Sequence, residues 1–84
     1  MPAYDFKVAL TRTIEPTGRP GIELATLADA VNFVSGLMEP LRQARPHWDF
    51  AAELLLKAAE TREEEDIEAA TAQMERALRV EGWL

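Results

Sequence analysis

Residues 4–11 alternate strictly, with Tyr4, Phe6, Val8 and Leu10 on one side and Asp5, Lys7, Ala9 and Thr11 on the other. This two-residue period is the signature of a strand with one face buried. The stretch from Glu15 to Gly21 holds Pro16, Gly18, Pro20 and Gly21. Strand interiors do not accommodate that density of proline and glycine, so the stretch predicts a turn. Beyond it Ile22 and Leu24 alternate with Glu23 and Ala25. A short second strand is therefore expected to return on the first, giving a hairpin over about residues 4–25.

The period then changes to that of a helix. Thr26 and Asp29 resemble a capping box, and Leu27, Ala30, Val31, Val34, Leu37 and Met38 follow the i, i+3, i+4 rule. Pro40 disfavours helical geometry at Glu39, so the first helix is expected over 27–39. Pro46 suits the first turn of a second helix, expected over 47–60. In that segment Asp49, Glu53, Lys57 and Glu60 fall within an arc of roughly 80°, and apolar side chains fill the rest, so most of its circumference needs cover.

Thr61 and Glu64 read as a second capping box, which opens a third helix over about 62–81. Its stripe of Ile67, Ala70, Met74, Ala77 and Leu78 is only about 100–120° wide, which predicts a peripheral position. Gly82 followed by Trp83 fits a Schellman ending in which Trp83 packs back on Leu78. No glycine or proline separates the last two helices, and residues 47–81 as one rod would span about 50 Å. Such a rod leaves the broad apolar arc of the second helix uncovered, so a fold-back at 60–65 is expected. The whole is a single α+β domain, residues 1–84, with a two-stranded antiparallel hairpin packed on three helices in the order ββααα.

Composition fits a folded globule, with 48% hydrophobic and 29% charged residues over 84 positions. A chain of this length buries about 60–65% of the surface its unfolded form exposes, so the core is small. There is no cysteine and one histidine, which leaves a zinc site only carboxylates to add, and no metal or cofactor is expected. The net charge of -6 repels phosphate backbones, and the nine Lys and Arg are scattered, so nucleic-acid binding is not expected. The opening residues carry no basic region, and no apolar run reaches the length of a signal or a membrane span. No membrane partner is expected, and the expected location is the cytoplasm.

Candidate chemistry concentrates in "RQARPHWDF", residues 42–50. One reading is an anion or small-ligand site, with Arg42 and Arg45 supplying charge, His47 a titratable group and Trp48 an aromatic wall. The other, favoured here, is a joint between helices in which Trp48 begins the core stripe continued by Ala52, Leu55 and Ala59. The acidic run Glu63–Asp66 lacks the glycine-bearing, oxygen-spaced loop of an EF-hand and suits a charged helix start. Ser35 and His47 are single examples of their types, and Glu60 and Glu64 are spaced for a helix surface, so no enzyme is expected. Phe33 and Phe50 sit at the edges of their apolar arcs, and Val80 lies off the stripe of its helix. With a small core and a hairpin seldom stable alone, these positions favour action through protein–protein contacts, including a homodimer. The interface is expected on the Phe33, Phe50 and Leu54 flank, with the hairpin edge as the alternative.

Taken in order, the hairpin, "TLADAVNFV", "WDFAAELLLKAAE" and "IEAATAQMERALRVEGWL" resemble the family catalogued as domain of unknown function 982. The resemblance covers most of the chain and lies in layout and the placement of small residues. Glu39-Pro40 stands where that family is expected to show Trp-Pro, and the cysteine associated with its second helix is missing. The resemblance implies a small α+β protein and supplies no catalytic residues.

Overall fold

The computed structural model describes residues 4–18, 21–36 and 46–84. Strand β1 (Ala9–Ile14) pairs antiparallel with β2 (Leu24–Thr26), and among the described residues three helices follow: α1 (Leu27–Ser35), α2 (Pro46–Thr61) and α3 (Glu64–Val80). This is the expected ββααα arrangement. Ala9 lies opposite Thr26 and Ile14 opposite Leu24, so the ladder is irregular between those pairs.

The first strand starts later than the alternation suggests. The Asp5 carboxylate accepts from the Lys7 amide at 3.0 Å, and the chain turns at Phe6 and Lys7. The carbonyls of Phe6 and Val8 then accept from Ala28 and Leu27, each at 2.9 Å. Those are the first donors of α1, which have no partner inside the helix. Thr26 Oγ1 takes the next one, from Asp29, at 3.2 Å. In return the Asp29 carboxylate accepts from Ala25 and Thr26 at 2.9 and 3.1 Å, completing the capping box. Phe6 and Val8 still pack on the core, as their period requires, while their backbone caps a helix instead of extending a ladder.

Helix α1 stops at Ser35, short of the expected 39, where Gly36, a poor helix former, donates back to Asn32 at 2.9 Å. The later positions assigned to it, Leu37 and Met38, lie outside the described residues. Helices α2 and α3 are separate, as the uncovered arc required. The cap between them differs from the expectation, however, because Thr61 is the last residue of α2 and Glu63 is the N-cap of α3, with no side-chain bond. The chain reverses at Arg62, whose φ of 57° is left-handed. Thr61 Oγ1 braces this tight turn by accepting from Glu63 at 3.2 Å and donating to Asp66.

Helix α3 is central, not peripheral. It packs on α2 along one side and on β1 along another, and Ala70, Thr71, Gln73, Met74, Ala77 and Leu78 are all buried. Its buried arc is wider than the apolar stripe because two polar side chains have partners inside. Thr71 Oγ1 donates to the Ile67 carbonyl at 2.8 Å and accepts from Thr11 at 3.2 Å, and Gln73 Nε2 donates to the His47 carbonyl at 3.1 Å. The helix ends as a Schellman motif, with Trp83 N–H on the Leu78 carbonyl at 2.8 Å, Gly82 N–H on Arg79 at 3.0 Å and Gly82 at φ 78°.

Each element therefore packs on the next along the chain, and α3 closes the ring on β1. Leu10, Ile14, Leu24, Leu27, Trp48, Leu55, Met74 and Leu78 fill the centre, and Ala51, Ala58, Ala70 and Ala77 are buried on the two longest helices.

Candidate functional site

The cluster around residues 47–48 is part of the core. Trp48 is fully buried, and its indole Nε1 donates to Glu81 Oε2 at 3.0 Å across the end of α3. Its ring lies 6.0 Å from Phe33 and 6.3 Å from Trp83, and Phe33 and Trp83 meet edge to face at 6.1 Å. His47 lies beside Trp48 with ring centroids 5.4 Å apart and planes tilted by 50°, and its buried Nε2 stands 3.9 Å from the Glu81 carboxylate. The Glu81 carboxylate thus stands beside both side chains, and the Trp48 ring expected as an aromatic wall is interior. Arg42 and Arg45 lie outside the described residues.

The hairpin edges are also occupied. On β1, Thr11 donates to Thr71, and the Arg12 guanidinium is held between Glu75 and Glu68 on α3, reaching Glu68 Oε2 at 3.0 Å. The bonds to Glu75 and then Glu68 raise the Arg12 pKa, and Arg12 holds Glu68 below the usual carboxylate range. On β2, the Ala25 and Thr26 amides are taken by Asp29, whose pKa is lowered chiefly by the Ala25 bond and then by Thr26. A strand edge whose donors are already used is a poor template for a partner strand.

Concave surface is shallow or small. An open depression of about 500 Å³ lies under the hairpin loop between Glu15, Pro16, Thr17 and Gly21–Glu23, and an apolar cleft of about 130 Å³ lies between Val31, Val34, Ala52 and Leu56. Neither gathers a nucleophile beside a base. Among the described residues no group of three or more His, Cys, Asp or Glu is placed to hold a metal, and no helix is long and apolar enough to cross a membrane.

What remains is the seam where α2 and α3 lie side by side. These helices run antiparallel, with Lys57 Nζ 3.7 Å from Asp66 at one level and His47 bonded to Gln73 at another. At about 100° per residue, Phe50 and Leu54 stand on the same side of α2 as Lys57. On α3, Asp66, Gln73 and Val80 recur every seven residues along the facing edge. Phe50 is 48% exposed and Val80 60% exposed, with Leu54 half-buried between the helices and the surface. Of the expected flank, Phe50 and Leu54 are brought together here. Phe33 is not, because it packs on Trp48, which points about 200° away from Phe50 around α2. The contribution of Val80 to the same surface follows only once the helices are known to be antiparallel and in this register.

Comparison of the chain with protein-family models, with curated proteins and with solved structures returns no match.

Proposed function

We propose that this protein is a small cytoplasmic interaction module, without catalytic activity of its own, that acts through protein–protein contacts at the α2–α3 seam and self-associates there. One observation carries the reading. Phe50, a large apolar side chain, stands half-exposed one turn into α2 along the seam, with Leu54 beside it and Val80 further along the same edge. Burying a phenylalanine contributes about 1.5–3 kcal/mol, which is enough to matter for a contact in the micromolar range. Kinship with the domain of unknown function 982 family belongs to the same proposal and adds no residue roles to it. The anion-binding alternative at Arg42, Arg45, His47 and Trp48 has less support, since Trp48 is buried and bonded to Glu81.

Sedimentation equilibrium tests the proposal directly. The apparent mass of the chain should rise toward that of two chains through the micromolar range, and Phe50→Glu should hold it at one chain with the far-UV helix signal retained. A single-chain mass at every concentration refutes self-association. A Phe50→Glu variant that associates like the wild type removes the seam as its site.

A further inference from the structure

We infer that His47 and Glu81 form a proton-operated latch, in which a proton taken up by the imidazole draws Nε2 onto the Glu81 carboxylate and fastens the C-terminal turn to the first turn of α2. The two groups face each other across a gap. His47 Nε2 is buried and makes no hydrogen bond, and it stands 3.9 Å from Glu81 Oε2, beyond the roughly 2.7–3.2 Å of an N–H···O bond. The side chains are 16% and 5% exposed, so water screens a charge on either only weakly. Both backbones are already held. The His47 carbonyl accepts from Gln73 at 3.1 Å, and the Glu81 amide donates to Ala77 at 3.2 Å at the end of α3. The Trp48 indole orients the Glu81 carboxylate by donating to the same Oε2 at 3.0 Å. A small turn of the imidazole is the movement left to close the gap.

Protonation decides whether closure is favourable. A neutral imidazole carries one N–H, and with that hydrogen on Nδ1 the Nε2 lone pair faces a carboxylate oxygen. An imidazolium donates from both nitrogens and is attracted to the carboxylate. Among the described residues Glu81 is the charged group closest to the ring, and Trp48 and Gln73 beside it are neutral. Asp49 lies about 160° around α2 from His47, and Arg76 and Arg79 on α3 are exposed, where solvent screens them. Arg42 and Arg45 precede His47 in the chain, outside the described residues. The latch is therefore closed in acid and opens as pH rises through the range in which imidazoles lose a proton. Its reach extends past Glu81, because the Trp83 carbonyl accepts from the Gly18 amide at 3.3 Å and the Trp83 ring lies 6.1 Å from Phe33 and 6.3 Å from Trp48. A proton on His47 thus tightens the C-terminal turn against the hairpin loop and α1.

Nuclear magnetic resonance of the full chain tests the latch between about pH 5 and 8, where histidine is the unperturbed side chain that changes charge. The Trp48 indole N–H resonance should shift with the midpoint of the His47 ring protons. Glu81→Gln keeps an acceptor oxygen for Trp48 but removes the charge, and it should lower the His47 midpoint by about half a pH unit, a threefold loss of proton affinity. By linkage, protection of the Trp83 amide from hydrogen exchange should be about threefold greater with His47 protonated. His47→Gln should abolish both pH steps. A flat Trp48 indole signal, equal Trp83 protection at both ends of the range, a step that persists in His47→Gln, or a His47 midpoint unmoved by Glu81→Gln would each overturn the inference. The first two outcomes are read on the wild-type chain, so the latch can be refuted even where a variant fails to fold.

Discussion

Asp29 ties the end of the sheet to the start of α1, and replacing it with Asn isolates the contribution of its charge. The carboxylate accepts two backbone donors, at 2.9 and 3.1 Å, and Asn would keep an acceptor oxygen of similar shape. Hydrogen bonds to a charged group are worth about 1.5–3 kcal/mol and neutral ones about 0.5–1.5 kcal/mol. A carboxylate in the first helical turn adds about 0.3–1 kcal/mol through the helix dipole. Because Asp29 is half-buried, the lower ends of these ranges apply, and Asp29→Asn should cost about 1–2 kcal/mol at neutral pH. Each kcal/mol lost should lower the melting temperature by roughly 4–8 °C in a domain of this size. The sign of the pH dependence follows from the direction of the shift. The pKa of Asp29 is lowered in the folded chain, so its stabilisation is fully present above the ordinary aspartate value of about 3.9 and is lost as pH falls through the folded value. Urea unfolding followed by far-UV circular dichroism, from neutral pH into the acid range, should therefore show wild type and Asp29→Asn converging in acid. A gap that stays constant down to the lowest pH at which both fold, or no gap at neutral pH, refutes the assignment of charge-assisted capping.

Three further substitutions probe other joints. Gly82→Ala meets no atom within 4 Å but places a side chain at φ 78°, so it should cost about 1–2 kcal/mol in urea unfolding, and a neutral result would contradict the left-handed C-cap. Gly18→Ala would place a Cβ 2.5 Å from Trp83 Cδ1, so the indole must move. Tryptophan emission should shift and the melting temperature fall, and unchanged emission would show that the hairpin turn does not rest on Trp83. Thr71→Val removes the acceptor for the Thr11 amide and should cost about 1–3 kcal/mol, with faster hydrogen exchange at Thr11 as its local mark. Retained protection there would mean the β1 edge is held by something other than α3.

The legible parts of the fold are those decided by local chemistry. Thr26 and Asp29 form the capping box their spacing suggests, Pro46 opens α2, and Gly82 with Trp83 closes α3. The break between the last two helices was also readable, since the nearly all-round apolar surface of α2 demanded a neighbour. Errors arose where one local pattern serves two outcomes. Tyr4, Phe6 and Val8 alternate as a strand would, yet the backbone of Phe6 and Val8 is spent on the first amides of α1, a long-range partnership no period encodes. Thr61 and Glu64 have capping-box spacing, but a two-residue reversal through Arg62 shifts the cap to Glu63. Helix α3 looked peripheral because Thr71 and Gln73 count as polar in any wheel. They are buried because Thr11 and His47 supply their partners, and those lie 60 and 26 positions away in the chain.

The same physics explains why "RQARPHWDF" offered a second reading as a site, and why only part of the seam was legible. A buried tryptophan is a large apolar body with one donor that must be satisfied, and Trp48 finds its acceptor in Glu81, at the far end of the helical hairpin. Trp48 and His47 therefore lie together for reasons of packing, where α1, α2 and the C-terminal turn converge. A protein surface offered to another chain has the opposite character. Phe50 and Leu54 were legible as the edge of an arc, but Val80 sits on a different helix whose register against α2 is fixed by two contacts, Lys57 with Asp66 and Gln73 with His47. Only when those contacts set the heights does Val80 come to stand along the same edge as Phe50 and Leu54, so that surface exists in the folded hairpin and in neither helix alone.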